Sequence, residues 1–174
     1  MNWSWLLLLL ATYPWLVASD LITDTLSDSG LVCFLAAAAM VAPSRRLGRG
    51  AAAIFALCIG FMFESRRPLP DGSVAFPLAF AAIALSGPQT LMRRPAQVWI
   101  GAIILNALAT LVWVVAAGSH AWYSGHPLPA GHLVWRGLLQ VTVSAAAAAL
   151  LAPFMLRAQE SIMNRLGIPE AREG

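Results

Sequence analysis

Apolar residues run along this chain in six blocks, about 3–19, 29–43, 49–63, 74–92, 97–118 and 132–156, divided by short stretches that hold nearly all of its charge. A hydrocarbon core of ~30 Å takes roughly 20 helical residues to cross. The first and the last three blocks meet that length within ordinary tolerance. The second and third, at about 15 residues each, fall short, and are accommodated by small tilt or by shielding from neighbouring helices. Alanine runs at 36–39, 51–53 and 145–149 favour helix, and the alternation of a membrane barrel is absent. The pattern predicts an all-α integral membrane protein, a single polytopic domain of about six transmembrane helices with a tail at 157–174. The first block ends in Val17-Ala18-Ser19, which imitates a signal-cleavage site, but it lacks a basic leading region. Trp3, Trp5 and Trp15 near its two ends resemble interfacial anchors. It is therefore read as an uncleaved first span.

The stretches between blocks set the expected orientation. Arg45, Arg46, Arg49, Arg93, Arg94, Arg157, Arg165 and Arg172 all fall on one side of a six-span layout. The other side receives Asp20, Asp24 and Asp28, a turn with Arg66 and Arg67, and the loop "SHAWYSGHPLPAGH". Positive charge is retained in the cytoplasm, so both termini are expected there, and Arg66 and Arg67 break the rule. Pro43, Pro95 and Pro169 are read at or beyond helix ends, and Pro14, Pro77, Pro88 and Pro153 within or near them. A carbonyl freed by proline in a membrane needs a neighbouring helix or polar group. Gly48, Ala52 and Ala56 form a small-residue row that admits a close helix neighbour.

Composition narrows the chemistry. Of 174 residues, 59% are hydrophobic and only 11% charged, against about a quarter charged in soluble domains. The net charge of +3 comes from arginine clusters of the topological kind, not from a phosphate-binding face, so nucleic acid is not an expected partner. Every basic residue is an arginine, which leaves no Walker or Schiff-base lysine, and there is no nucleophile elbow. His120, His126 and His132 recur in the fifth loop without zinc spacing and are read as solvated. Cys33 and Cys58 lie in apolar runs as small buried hydrophobes. No enzyme activity, cofactor or metal is expected. Asn106, Gln140 and Thr142 are the main polar residues within the spans, expected to hydrogen-bond between helices.

The most distinctive stretch is "GFMFESRRPLPDGS", where an apolar run ends in Glu64, Arg66 and Arg67 and then turns. Gly60-Phe61-Met62-Phe63-Glu64, followed by Pro68, Asp71-Gly72 and a new apolar helix, resembles the MreD family of rod-shape-determining membrane proteins. That family reads roughly G-L-L-x-D, a short Ser/Pro/Gly turn and a Leu/Ala-rich helix. Glu64 stands here in place of the usual Asp, and the turn is longer and more basic. The acidic first loop, Asn106 in the penultimate span and the short basic tail match the family layout. The resemblance implies a non-enzymatic component of the bacterial inner membrane. Such a protein pairs with the single-span protein MreC and, through it, with the cell-elongation machinery of peptidoglycan synthesis. It also implies a bundle similar to the S-components of vitamin transporters, which supplies the alternative function, with an unrelated small membrane protein as a third. The Ala-x-x-x-Ala pattern of S-component first helices is absent, since this block has only Ala11 and Ala18. Either partner contact or a structural turn is expected at Gly60, Glu64, Arg66, Arg67, Pro68, Asp71 and Gly72. An i, i+3 pair between Glu64 and Arg67 is expected if the helix runs one turn further.

Overall fold

The computed structural model describes residues 4–65, 72–86, 95–125 and 129–168. Among these the regular elements are all helical: α1 (Ser4–Thr25), α2 (Ala36–Arg46), α3 (Arg49–Glu64), α4 (Ala75–Leu85), α5 (Pro95–Tyr123) and α6 (Ala130–Arg165), with one 3-10 turn at Ser27–Ser29. Three of them, α1, α5 and α6, are long and apolar enough to cross a membrane. At ~1.5 Å per residue, α2 and α4 are each only ~16 Å long and α3 ~24 Å.

Long-range contacts fix the helix directions. Phe34 meets Phe63 edge-on with ring centroids 4.7 Å apart, and the start of α4 at Ala75 abuts Gly60 near the end of α3. Gln140, early in α6, bonds Val32, whereas Asn164, late in α6, bonds Arg46. Thr12 of α1 meets Gln159, and Trp99 of α5 meets Ala149. Successive helices therefore alternate in direction. One end of the bundle collects Asp24, Asp28 and Glu64 together with Arg136, and the opposite end collects Arg45, Arg46, Arg49 and Arg165 together with Glu160. These are called the acidic and basic ends below.

α2 occupies the centre. Every residue from Cys33 to Val41 has at most 1% of its surface exposed. The alanine run 36–39 makes this feasible, because side chains that stop at Cβ let surrounding backbones approach from all directions. Around it, α1, α5 and α6 turn apolar side chains outward, including Leu108, Val115, Leu138, Leu150 and Phe154. In water such a surface would be an aggregation liability, but against lipid it is solvated. On α3 the small-residue row continues beyond its expected limit. Ala52, Ala56 and Gly60 are buried, whereas Gly48 faces open space.

Several boundaries differ from the sequence expectation. α1 runs on to Thr25, so Asp20 and Asp24 lie on its last turns and not in a loop. Loss of hydropathy does not end a helix; here it ends only after "SDLITDT", at the 3-10 turn. α5 and α6 likewise extend past their apolar blocks, which puts His120 and His132 on helical turns and makes the tail helical through Arg165. His126 lies outside the described residues. Residues 31–35, expected as helix, are not helical, and Pro43, expected at a helix end, lies inside α2.

Gly60 is the tightest small-residue contact. A Cβ there would sit 2.3 Å from the Cα of Ala75, a backbone atom that moves only if the helices part. Gly60→Ala is expected to lower stability by about 1–3 kcal/mol. Gly50→Ala, where a Cβ meets nothing within 4 Å, is expected to be neutral or mildly stabilising. Thermal unfolding of the two variants in mild detergent checks both outcomes.

Candidate functional site

α4 begins without a cap of its own. Its N-cap residue is Val74, which has no side chain able to accept a hydrogen bond. The acceptor comes from α3 instead. Glu64 is 2% exposed, and its Oε1 accepts the amide N–H groups of Val74 and, at 2.9 Å, Ala75. Its Oε2 accepts the Gly72 N–H at 2.8 Å. Gly72 has φ +88°, in the left-handed region open to glycine, and any Cβ there would meet the Phe76 ring at 2.4 Å. A carboxylate at the C-terminal end of α3 is unfavourable with respect to that helix's dipole. The N-terminal end of α4 reverses the sign, and three direct amide bonds hold the oxygens there. Gly60 lies one turn before Glu64 on the same face of α3, and admits Ala75 closely enough for the carboxylate to reach.

α2 is capped by the same device. Its N-cap is Leu35, again without a side-chain bond. Asn106 of α5, fully buried, accepts the Ala38 N–H with Oδ1 at 3.3 Å and donates through Nδ2 to the carbonyls of Phe34 at 2.6 Å and Ser144 at 3.2 Å. Ala38 is the third residue of the helix, the position an N-cap side chain normally serves. Several backbone groups of the non-helical residues before it are matched by side chains from other helices. Gln140 of α6 accepts the Val32 N–H at 2.8 Å and donates to the Val32 carbonyl. The Ser144 hydroxyl accepts the Phe34 N–H at 3.2 Å, and Thr23 of α1 accepts the Cys33 N–H at 2.9 Å.

Proline creates a third demand of this kind. Pro43 has no N–H, so the Ala39 carbonyl loses its i+4 donor inside α2. Gln159 of α6 donates to that carbonyl at 2.8 Å. Pro153 similarly frees the Ala149 carbonyl within α6, and the Trp99 indole donates to it at 3.4 Å.

Asn106 bonds across helices as expected, to α2 and α6, whereas Gln140 of α6 serves the non-helical Val32, and exposed Thr142 bonds only within its own helix, to Leu138. Gly60, Glu64 and Gly72 come together in one turn. Arg66, Arg67, Pro68 and Asp71, with the expected Glu64–Arg67 pair, lie outside the described residues. Ser144, Thr23, Gln159 and Trp99 were not singled out in the sequence. Gln159 and Trp99 had an available signal, because each proline identifies the carbonyl four residues earlier as needing a donor. Cys33 is buried and Cys58 partly so, and neither forms a disulfide among the described residues.

No family model, curated protein or solved structure matches this chain.

Replacing Glu64 with Ala strands three amides at the start of α4. At ~1–3 kcal/mol per stranded buried group, a loss of at least about 2 kcal/mol is expected, and Glu64→Gln, which keeps one acceptor oxygen, should lose less. Asn106→Leu should cost about as much as Glu64→Ala, by stranding the Ala38 N–H and Phe34 carbonyl. Unfolding midpoints in detergent order the three variants.

Proposed function

We propose that this chain is a non-enzymatic, MreD-like component of the bacterial cell-elongation machinery in the inner membrane, acting by binding an MreC-like single-span partner. The observation that carries the reading is the turn fixed by Glu64. A carboxylate with three amide bonds and a glycine-tight contact hold the start of α4 in one position. Beside it α4 presents Phe76, Phe80 and Ile83, exposed at 56%, 73% and 41%, in an i, i+4, i+7 stripe. Such a stripe is the form in which one helix anchors another. Helix packing in lipid gains little from apolarity alone, so a pre-set shape is what makes a partner surface selective.

The proposed topology is six passes with both termini in the cytoplasm. The alternating helix directions support it, as do the arginines at the end that holds the start of α1 and the end of α6. The second pass would combine ~16 Å of α2 with up to ~16 Å of the five residues before it, enough together for a ~30 Å core. A vitamin-binding S-component is the less supported alternative. That function needs a central ligand cavity, and the centre here is filled by α2.

Depletion of the protein is expected to round rod-shaped cells, and the protein should co-purify with a single-span partner in mild detergent. Vitamin auxotrophy with normal shape would reject the reading. Topology has its own check in single cysteines at Gly48 and Ser124, both exposed and at opposite ends. The first should be labelled only from the cytoplasm and the second only from outside. Labelling of both from one side would exclude six passes.

A further inference from the structure

The apolar wall that the bundle turns to lipid is taller on one side than on the other. α5 and α6 form the tall side. No charged residue lies between Arg136 and Arg157 of α6, a run of ~30 Å, and α5 carries none from Ala96 to Ser119, ~36 Å. Both runs expose apolar side chains along their length, from Ile100 to Val115 and from Leu138 to Phe154. Exposed aromatics stand at their limits, Trp99 toward the basic end and Trp122, Tyr123 and Trp135 toward the acidic end, where interfacial anchors belong. This side fits a ~30 Å hydrocarbon core with modest tilt.

α3 and α4 form the short side, and polar groups pin both of its ends. α3 runs from exposed Arg49 to Glu64 and is ~24 Å long. α4 starts at the Glu64 carboxylate and stops before Ser86, whose hydroxyl donates at 2.8 Å to the carbonyl of Ser44, next to Arg45 and Arg46. Tilt only lowers the height that a helix spans, so this side falls short of a ~30 Å core by ~6 Å or more. The shortfall lies at the acidic end. Phe63 packs on Phe34, and Asn106 donates to the carbonyl of that same Phe34, which brings the end of α3 level with the middle of α5. From Asn106, α5 continues toward the acidic end for a further ~25 Å, to Tyr123. On the other flank Phe63 and Ser65 share a cleft of about 160 Å³ with Ser19 and Asp20 of α1, which itself runs on to Thr25. Exposed Ser65 and part-buried Asp20 thus stand at a depth where α5 presents Leu108 and Leu111 to lipid. Polar groups at that depth are costly unless water reaches them.

We propose that the bundle thins the bilayer on its α3–α4 side. The leaflet at the acidic end dips to the level of Ser65 there, over lipid with short or compressed acyl chains, while α5 and α6 hold a bilayer of ordinary thickness. A dip of this kind lets helices as short as α3 and α4 complete a pass. The proposal needs only that the bundle cross a bilayer, and it is independent of the cell-elongation reading.

The test places the full chain in bilayers of dioleoylphosphatidylcholine with a nitroxide on one introduced cysteine, Ser65→Cys or Val115→Cys, in a Cys58→Ala background. Both positions are exposed, and the remaining Cys33 is fully buried. Collision of the nitroxide with a water-soluble nickel chelate, set against collision with oxygen, reports its depth. Val115 stands ~14 Å beyond Asn106 toward the acidic end, whereas Ser65 is only ~3 Å beyond Phe63. In a flat bilayer along the bundle axis Val115 is therefore the nearer of the two to water. Thinning reverses the order, and nickel collisions should be several-fold more frequent at Ser65. Equal frequencies, or more frequent collisions at Val115, would overturn the proposal. In dimyristoleoylphosphatidylcholine, whose thinner core already fits the short side, most of the contrast should disappear. A contrast unchanged by chain length would assign the wetting of Ser65 to a tilted bundle or to the cleft beside Asp20, and would overturn the proposal as well.

Discussion

A backbone N–H or C=O in a hydrocarbon core has no water to bond, and a helix supplies partners only within its own run. Two helices of this protein start at apolar N-caps, Leu35 and Val74, and one is preceded by non-helical residues at the centre of the bundle. The fold stands because other helices supply the missing partners. Asn106, Gln140 and Ser144 serve the entry to α2, Glu64 serves α4, and Gln159 serves the carbonyl freed by Pro43. Each such bond contributes little more than it would in water when compared with another bonded state. Its removal is costly because no substitute exists.

This constraint links the interior to the proposed surface. α2 contributes almost nothing to the exterior, yet all five other helices pack on it. Its position is set by side chains from α1, α5 and α6. α4 is then laid on α3 by the Gly60 contact and fixed at its start by Glu64. The aromatic stripe on α4 therefore has a position determined by the whole bundle, from the polar residues at its centre outward. A partner helix that recognises the stripe would read a surface already in place.

Much of the helical framework was legible in the apolar blocks, because burial in lipid demands long apolar runs whatever the tertiary arrangement. Among the described residues each of the six blocks became a helix. Their limits were less legible, since helices such as α1 and α6 continue past the point where hydropathy falls. The break at residues 31–35 left no mark in hydropathy at all: "LVCFL" is as apolar as any span, and the side chains that bond it lie elsewhere in the chain, in Thr23, Asn106, Gln140 and Ser144. Asn106, Gln140 and Glu64 stood out because polar groups are scarce in this chain. Their partners did not, because those partners are backbone atoms, which every residue carries. Gln159 was overlooked as part of a tail, although the proline that requires it was in view.

The central claim is that these side chains act on particular backbone groups and are not generic polar glue. A double-mutant cycle on Gln159 and Pro43 tests it most directly. With Pro43 present, Gln159→Leu strands the Ala39 carbonyl and should cost about 1–3 kcal/mol of unfolding free energy in detergent. In a Pro43→Ala background the residue at position 43 regains an N–H, the helix bonds its own Ala39 carbonyl, and most of that cost should vanish. The same cost for Gln159→Leu in both backgrounds would contradict the account.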